Sequence, residues 1–551
     1  MDASARTKYR NDKSLYVFNN GIQSTFSDNS HSVKREQPFI APQRSAISMD
    51  RKNGIQLVYK SKIVDTATAP MSPCIFSLDE AVNMVLLDQL SYTAANNLGP
   101  TKSSRLNYIF MATVAQAYNW TTPILAGTHD NWNWSTHYRA NAMDTYVFVI
   151  NALVAVLPTL IPGYDVRKLI ALEQASMGWT PDQQTAYVYN VQTTAHYQDW
   201  LTAWNTWYTT RNNDNNVAAA IPPTAAQLPN GSTALNPATT QNITAYPNPA
   251  KWTPLIVSGK TQKYLTYNWN DVISSCLTAQ NETDIKAAAA PYFQVNRVAD
   301  INSLVSTVTQ LQDIHKVQAE FWAGGPYTAS PPGIYMYIWM NYAVSTKFSE
   351  TLGMNAYILS GLELATNLFE VGRVVWGLKK QYMEARPIQE IRNMYANSTI
   401  ASYTGAPISG ALWMPFQTAN FVTPPFADFP SGHSAYGRAF ANVMTGWFGP
   451  TIQPGTPTTA YRMGNILSPV FRTNQTNPSC TYIFPAGGSE TQSGVPTAPI
   501  TLSFATWDDM TMSSGLSRQY GGIHAMSAHD GSLAAADVLT PIVNTSWGFR
   551  A

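Results

Sequence analysis

The sequence predicts a mainly helical, all-α protein: two packed helical bundles with long irregular loops. Apolar residues recur at helical spacing along most of the chain. Strand-like alternation is scarce, and two zones rich in Pro, Gly, Asn and Thr separate the helical runs. The opening 45 residues, polar and carrying Pro38 and Pro42, read as an extended arm. Ser77-Leu78-Asp79-Glu80 then resembles a helix N-cap with an acidic first turn, and the apolar period runs on to Leu90. Further helices are predicted over 103–118, 140–160, 166–177 and 181–210. Residues 211–261 break the pattern with Pro222-Pro223, Pro229-Asn230-Gly231 and Pro247-Asn248-Pro249. The chain is expected to divide near residue 295. On this reading 1–295 form an N-terminal helical half with its arm and Asn/Thr/Pro-rich connection, and 296–551 a C-terminal half. The second half predicts helices over 297–322, 334–347, 353–380, 387–394, 432–447 and, with a break, 516–543; 449–499 is the second loop zone.

Composition removes several classes of function. Lys and Arg total 34 against 33 for Asp and Glu, a net charge of +1, so neither a polybasic nucleic-acid binder nor an acidic tail explains the chain. Charged residues are 12% of the total, about half the usual share, so Asn, Thr, Ser and Gln must solubilise the surface. Hydrophobic residues at 45% suffice for a large core and exclude disorder. Cys74, Cys276 and Cys480 are too few for a disulfide scaffold and lack metal-ligand spacing, so they read as inert thiols and leave the compartment open. The first 50 residues hold no apolar run of the signal-peptide kind. The best candidate for a membrane span, 146–161, is short and contains Asn151 and Pro158, so a buried helix and a soluble protein are expected. Low charge and many aromatics are compatible with a homo-oligomer.

Three segments of the C-terminal half carry chemistry. In Trp376-Gly-Leu-Lys379-Lys-Gln-Tyr-Met-Glu-Ala-Arg386-Pro387, the spacing predicts Lys379 and Arg386 two turns apart on one helix face, with Pro387 ending the helix. In Phe426-Ala-Asp-Phe-Pro430-Ser431-Gly432-His433, Pro and Ser before a helical run predict a helix start, where free amides and the dipole favour an anion. In Ser517-Arg518-Gln-Tyr-Gly521-Gly522-Ile523-His524, the glycine pair permits a bend that brings Arg518 to His524. Singly, each reads equally well as solvated charges, a capped helix or a loop. Together they supply three cations, a hydroxyl, a free amide and two imidazoles, an inventory that suits a tetrahedral oxyanion.

In order and spacing these segments resemble the Lys-x6-Arg-Pro, Pro-Ser-Gly-His, Ser-Arg-x5-His signature of the vanadium-dependent haloperoxidase and type 2 phosphatidic acid phosphatase superfamily. The lack of spanning helices favours the soluble haloperoxidase branch, which Glu320-Phe-Trp-Ala-Gly-Gly-Pro326 and Ser330-Pro-Pro-Gly333 also resemble. The resemblance implies helical bundles of the vanadium haloperoxidase type and a vanadate cofactor. Lys379, Arg386, Ser431, the Gly432 amide and Arg518 would bind its oxygens, and His524 would bind vanadium. His433 would be the acid–base group, and Lys379 a donor to bound hydrogen peroxide. The implied partners are hydrogen peroxide, a halide and a small organic acceptor, and the implied product is a hypohalous-acid equivalent. Trp376 and Phe426 resemble the halide pocket of the chloroperoxidase-type members.

Two departures stand out. Where related chloroperoxidases carry an Asp paired with the third-segment Arg, this chain has Gly324, and Asp530 is the substitute partner expected for Arg518. Four residues after His524, where many members have Asp, stands Ala528. Two alternatives stay open. One is a soluble acid phosphatase, with His524 forming a phosphohistidine and His433 protonating the leaving group. The other is a structural or interaction protein without activity.

Overall fold

The protein is described here by a computed structural model covering residues 45–50, 54–59, 76–138, 140, 142–240, 246–453, 458–459 and 480–549. The first 44 residues of the expected arm, Cys74 and nearly half of the second loop zone lie outside the described residues. Helix dominates, and the described strands, two to six residues long, form four pairs and one three-stranded sheet. The N-terminal half holds α1 (Phe76–Ala95), α2 (Gly99–Thr121), α3 (Ala142–Leu160), α4 (Arg167–Met177), α5 (Pro181–Gln192), α6 (Ala195–Asn212) and α7 (Ala279–Ala289). Then follow α8 (Arg297–Thr309), α9 (Asp313–Phe321), α10 (Ser330–Ser345), α11 (Met354–Tyr382), α12 (Pro387–Met394), α13 (Gly432–Phe448), α14 (Trp507–Tyr520) and α15 (Met526–Trp547).

The differences from expectation have local causes. The single helix expected over 181–210 is two, because the Thr194 hydroxyl accepts from the Tyr197 amide at 3.2 Å and starts α6 afresh. The helix expected over 297–322 splits where Gln312 turns extended. Helix α7 was not anticipated. It buries only Ile285 and Ala289, so it shows no apolar period, and its start rests on a reciprocal cap between Thr278 and Asn281. The stretch 146–161 lies in α3, and no helix among the described residues is long and apolar enough to cross a membrane.

Helix α11 runs through the middle of the protein. It packs against α2 on one side and α13 and α15 on others, and it is buried along most of its length. A helix enclosed in this way must satisfy its polar residues internally. Glu363 accepts the Trp447 indole N–H at 2.7 Å, and Glu370 accepts the Ser275 amide at 2.6 Å and Arg373 at 3.0 Å. Gly361 and Gly372 allow close approach. A Cβ at 361 would fall 2.6 Å from both Trp339 and Met111, and one at 372 would fall 2.5 Å from the Tyr436 hydroxyl. The main core extends from Leu78 to Phe549, so residues on both sides of position 295 share it.

Gly361→Ala is expected to destabilise the protein by about 1–3 kcal/mol through overpacking against Trp339. Chemical denaturation checks this, and an unchanged midpoint would contradict the packing described.

Candidate active site

The three sequence segments converge where helices end. Trp376 and Lys379 lie in the last turns of α11, which stops at Tyr382. Met383 turns left-handed (φ 45°), and its amide closes on the Lys379 carbonyl at 2.9 Å. Arg386 therefore does not share a helix face with Lys379, as the spacing suggested. It sits extended in the link, at the N-cap position of α12. Ser431 caps α13, with its amide on the Ala528 carbonyl (2.8 Å) and its own carbonyl held by the Ser532 hydroxyl (2.7 Å). Arg518 closes α14. The turn at Gly521-Gly522 brings the Ile523 and His524 amides back to the Arg518 carbonyl at 3.0 and 3.3 Å. At Gly522 φ is 69°, and a Cβ there would press on Trp413 and Pro415 at 3.1 Å, so the turn requires glycine twice over.

These ends surround a cavity of about 120 Å³, room for several waters or a small oxyanion with a co-substrate. Trp376, Phe426, Gly432, His433, Arg518 and His524 line it, with Leu265, Phe421 and several prolines as apolar walls. Lys379 and Arg386 do not line it but lie against the ring of Phe426, which does, and Ser431 precedes the lining Gly432. Lys379 is fully buried and donates to the carbonyls of Ala427 and Asp428 at 2.8 and 2.9 Å. Its ammonium lies 5.1 Å from the Phe426 ring centre and 5.9 Å from that of Trp376. Arg386 donates to the carbonyls of Phe426 (2.6 Å) and Ile523 (2.8 Å), and its Nη1 reaches His524 Nε2 at 3.1 Å. Burial, then the neighbouring Arg386 charge, pulls the Lys379 pKa well below its ordinary value and that of Arg518 down to about 9.

Arg518 does not pair with Asp530; the carboxyl of Asp530 feels Asp300 instead. The Arg518 Nη1 donates to the Trp322 carbonyl at 3.3 Å, and the same carbonyl takes His433 Nε2 at 2.9 Å. One neutral backbone oxygen thus serves both groups, two residues before Gly324. At Gly324 φ is +49°, and a Cβ would come within 3.3 Å of His433 Nε2. A carbonyl only accepts, so Nε2 of His433 carries the proton. Burial, reinforced by Arg518 and His524, keeps the His433 pKa well below its ordinary value.

Asp428 was passed over in the sequence as a spacer within the Phe426–His433 run, yet it is the carboxylate of the site. It is fully buried, with Oδ1 2.5 Å from His524 Nδ1 and Oδ2 accepting from Arg297 at 3.0 Å. Burial alone would raise its pKa, but His524, Arg297 and Arg386 hold it well below the usual carboxylate range. His529 was also missed. Its Nδ1 lies 2.7 Å from the Ser434 hydroxyl, which donates on to Ser431 at 3.1 Å. Ser431 thereby accepts from Ser434 and keeps its own proton to donate.

The donor set fits an oxyanion. Nε and Nη2 of Arg518 and Nη2 of Arg386 are buried without a hydrogen-bond partner. Ser431 has a spare proton, and the first-turn amides of α13 have no intrahelical acceptor.

The fold has counterparts among known proteins. Residues 361–543, which contain all three sequence segments, match the family description of the VCPO second helical-bundle domain. The fold is that of an apo-type bacterial vanadium-dependent chloroperoxidase, at TM-score 0.55 and 15% identity over 82% of this chain and 95% of the other. Its holo-type form gives TM-score 0.53, 15% identity and coverages of 82% and 93%. A bacterial vanadium-dependent iodoperoxidase gives TM-score 0.53 at 16% identity, covering 88% and 98%. At these identities the structural likeness is one of fold. No curated protein matches the sequence. The chain is mainly helical and shares the fold of these vanadium-dependent haloperoxidases, and its residues 361–543 match the second helical-bundle domain.

Two outcomes follow from the site's electrostatics. An oxyanion that meets Arg518 should stabilise the fold, by about 2.7 kcal/mol at a hundredfold excess of phosphate or orthovanadate over its dissociation constant. The thermal shift should vanish in Arg518→Ala, and its persistence there would place the anion elsewhere. Burial lowers the His529 pKa to about 4, so the unfolded chain takes up a proton first as pH falls below 6.5. Stability should therefore drop between pH 6.5 and 4, and the drop should be smaller by about 3 kcal/mol in His529→Gln. Equal slopes in denaturation would contradict this.

Proposed function

We propose that the protein is a vanadate-dependent haloperoxidase that oxidises a halide with hydrogen peroxide and delivers a hypohalous-acid equivalent to a small organic acceptor. The observation that carries this reading is Arg518, a buried guanidinium with two unpartnered nitrogens on the cavity that His524 and Gly432 also line. A buried cation in that state needs an anion, and a fork of N–H donors suits a tetrahedral one. In this reading Lys379, Arg386, Ser431, the Gly432 amide and Arg518 hold the oxygens, and His524 Nε2 is the donor to vanadium. Bound vanadate supplies a Lewis-acid centre that activates hydrogen peroxide with no change in oxidation state.

The remaining work falls to the chain's own side chains. His433 is neutral at neutral pH, with its Nε2 proton committed to the Trp322 carbonyl, so Nδ1 is free to take the proton that hydrogen peroxide loses. Lys379 is the proposed hydrogen-bond donor to the peroxide. An anion bound beside it would favour its protonated form, which keeps a third N–H beyond the two given to carbonyls. Trp376 and Phe426, their ring centres 5.0 Å apart, form the proposed halide wall and keep water from the oxidised halogen. The division at 295/296 is part of the same proposal, with the C-terminal half carrying the whole vanadate site.

A second reading, an acid phosphatase on the same residues, is favoured by one observation. A carboxylate at Nδ1 of an imidazole is the arrangement that raises the nucleophilicity of Nε2, as phosphohistidine formation at His524 needs.

The test uses metal-free protein to which orthovanadate is added stepwise with hydrogen peroxide and chloride or bromide, following bleaching of a diketone halogen acceptor. We expect saturable, vanadate-dependent halogenation, reduced at least about a thousandfold in His524→Ala. The chloride-to-bromide ratio should shift in Phe426→Ala. Hydrolysis of p-nitrophenyl phosphate, inhibited by vanadate and unaccompanied by halogenation, would move the protein to the phosphatase reading. A folded protein with neither activity and no vanadate binding would leave only a structural role.

A further inference from the structure

We infer that Asp428 is the positioning residue of the site: it fixes which nitrogen of His524 carries the proton, so that Nε2 keeps the lone pair. This rests on the reading of His524 as the oxyanion-binding imidazole, although the tautomer itself can be measured without any ligand.

The geometry constrains the ring from both sides. Nδ1 of His524 and Oδ1 of Asp428 stand 2.5 Å apart; the contact lacks the in-line direction of a ring N–H hydrogen bond, but two facing lone pairs would repel at that separation. A carboxylate only accepts, so the proton belongs to Nδ1. On the far side Nη1 of Arg386 stands 3.1 Å from Nε2, and a guanidinium only donates, so Nε2 is the acceptor. The Arg386 hydrogen bond at Nε2 assigns the acceptor, and the close approach of Asp428 to Nδ1 favours the same tautomer.

Asp428 is in turn held rigidly. Its Oδ2 accepts from Arg297, whose guanidinium grips Glu390 through Nε at 3.0 Å and Nη2 at 2.8 Å and also donates to the Ala385 carbonyl. The Asp428 amide donates to the Glu384 carbonyl at 3.1 Å, and its own carbonyl receives Lys379. One residue thus ties together the imidazole, the site lysine and, through Arg297, the first turn of α8. The third segment offers His524 no acid of its own, because Ala528 stands one turn into α15 and its carbonyl takes the Ser431 amide. The carboxylate comes instead from the second segment, three residues before the serine that caps α13. Partners of this kind set tautomer, ring angle and basicity for a ligating imidazole.

The experiment is ¹⁵N spectroscopy of the full-length, ligand-free protein labelled at histidine, near neutral pH. The His524 signals are assigned by their loss in His524→Gln. In the wild type we expect a protonated Nδ1 and an unprotonated Nε2. Asp428→Ala should give mixed tautomers at His524 and bind orthovanadate or phosphate about 10- to 100-fold more weakly by calorimetry. Asp428→Asn keeps an acceptor oxygen in place and should retain the tautomer and recover most of that affinity. A wild-type His524 protonated at Nε2 overturns the inference without recourse to any variant. So does folded Asp428→Ala with unaltered tautomer and affinity. If the wild-type tautomer is as stated, depends on Asp428, and no oxyanion binds, the proposed function fails while the positioning role stands.

Discussion

Three cations buried around one small cavity set the terms for everything near it. Lys379, Arg386 and Arg518 are each at most 2% exposed. Loss of hydration pushes their pKa values down, the Arg386 charge adds to this at Lys379 and Arg518, and the buried carboxyls Asp428, 3.8 Å from Arg386, and Glu384 offset it only in part. Most of the compensation comes from backbone carbonyls: Ala427 and Asp428 for the lysine, Phe426 and Ile523 for Arg386, Trp322 for Arg518. A carbonyl inside a helix already has an intrahelical partner, so these oxygens must come from chain that is not helical. The site therefore has to sit where α9, α11 and α14 end and α12, α13 and α15 begin. Carbonyl dipoles satisfy hydrogen bonds without cancelling charge, and the cavity keeps its demand for an anion.

The placement of Asp428 divides the labour of the two histidines. His433 shares a neutral carbonyl with Arg518, so nothing there favours its imidazolium. His524 has Asp428 at Nδ1 and Arg386 at Nε2, a pairing that polarises the ring toward the cavity. The first arrangement suits a proton acceptor, and the second suits a ligand or nucleophile. Gly324 and Ala528 offer no acid, and the carboxylate beside His524 comes from the second segment, at Asp428.

Much of this was legible in the sequence, for identifiable reasons. Helix α13 was visible through the apolar stripe that burial of one face leaves, and α2 and α11, buried nearly all round, through long stretches rich in apolar and small residues. Pro387 marked the start of α12, and Gly521-Gly522 marked the turn joining Arg518 to His524, because both residues act through the local backbone. What escaped depended on distant contacts. Helix α7 buries too little to show a period, and the exit of α11 at Met383 leaves no mark in the spacing of Lys379 and Arg386. Asp428 stood inside a quoted motif, but its role exists only because His524, nearly a hundred positions on, folds onto it. The Trp322 carbonyl has no side-chain signature at all, so a sequence reading could only propose a second acid such as Asp530.

The most direct test of the claim that the cationic cavity holds a tetrahedral metal oxyanion is a crystal soaked in tungstate, a heavy analogue of vanadate. The account predicts one strong anomalous peak, bounded by His524 Nε2, the Arg518 guanidinium and the first amides of α13, and absent from Arg518→Ala crystals. A well-ordered crystal with no peak in that cavity, or with the same peak in the variant, would contradict it.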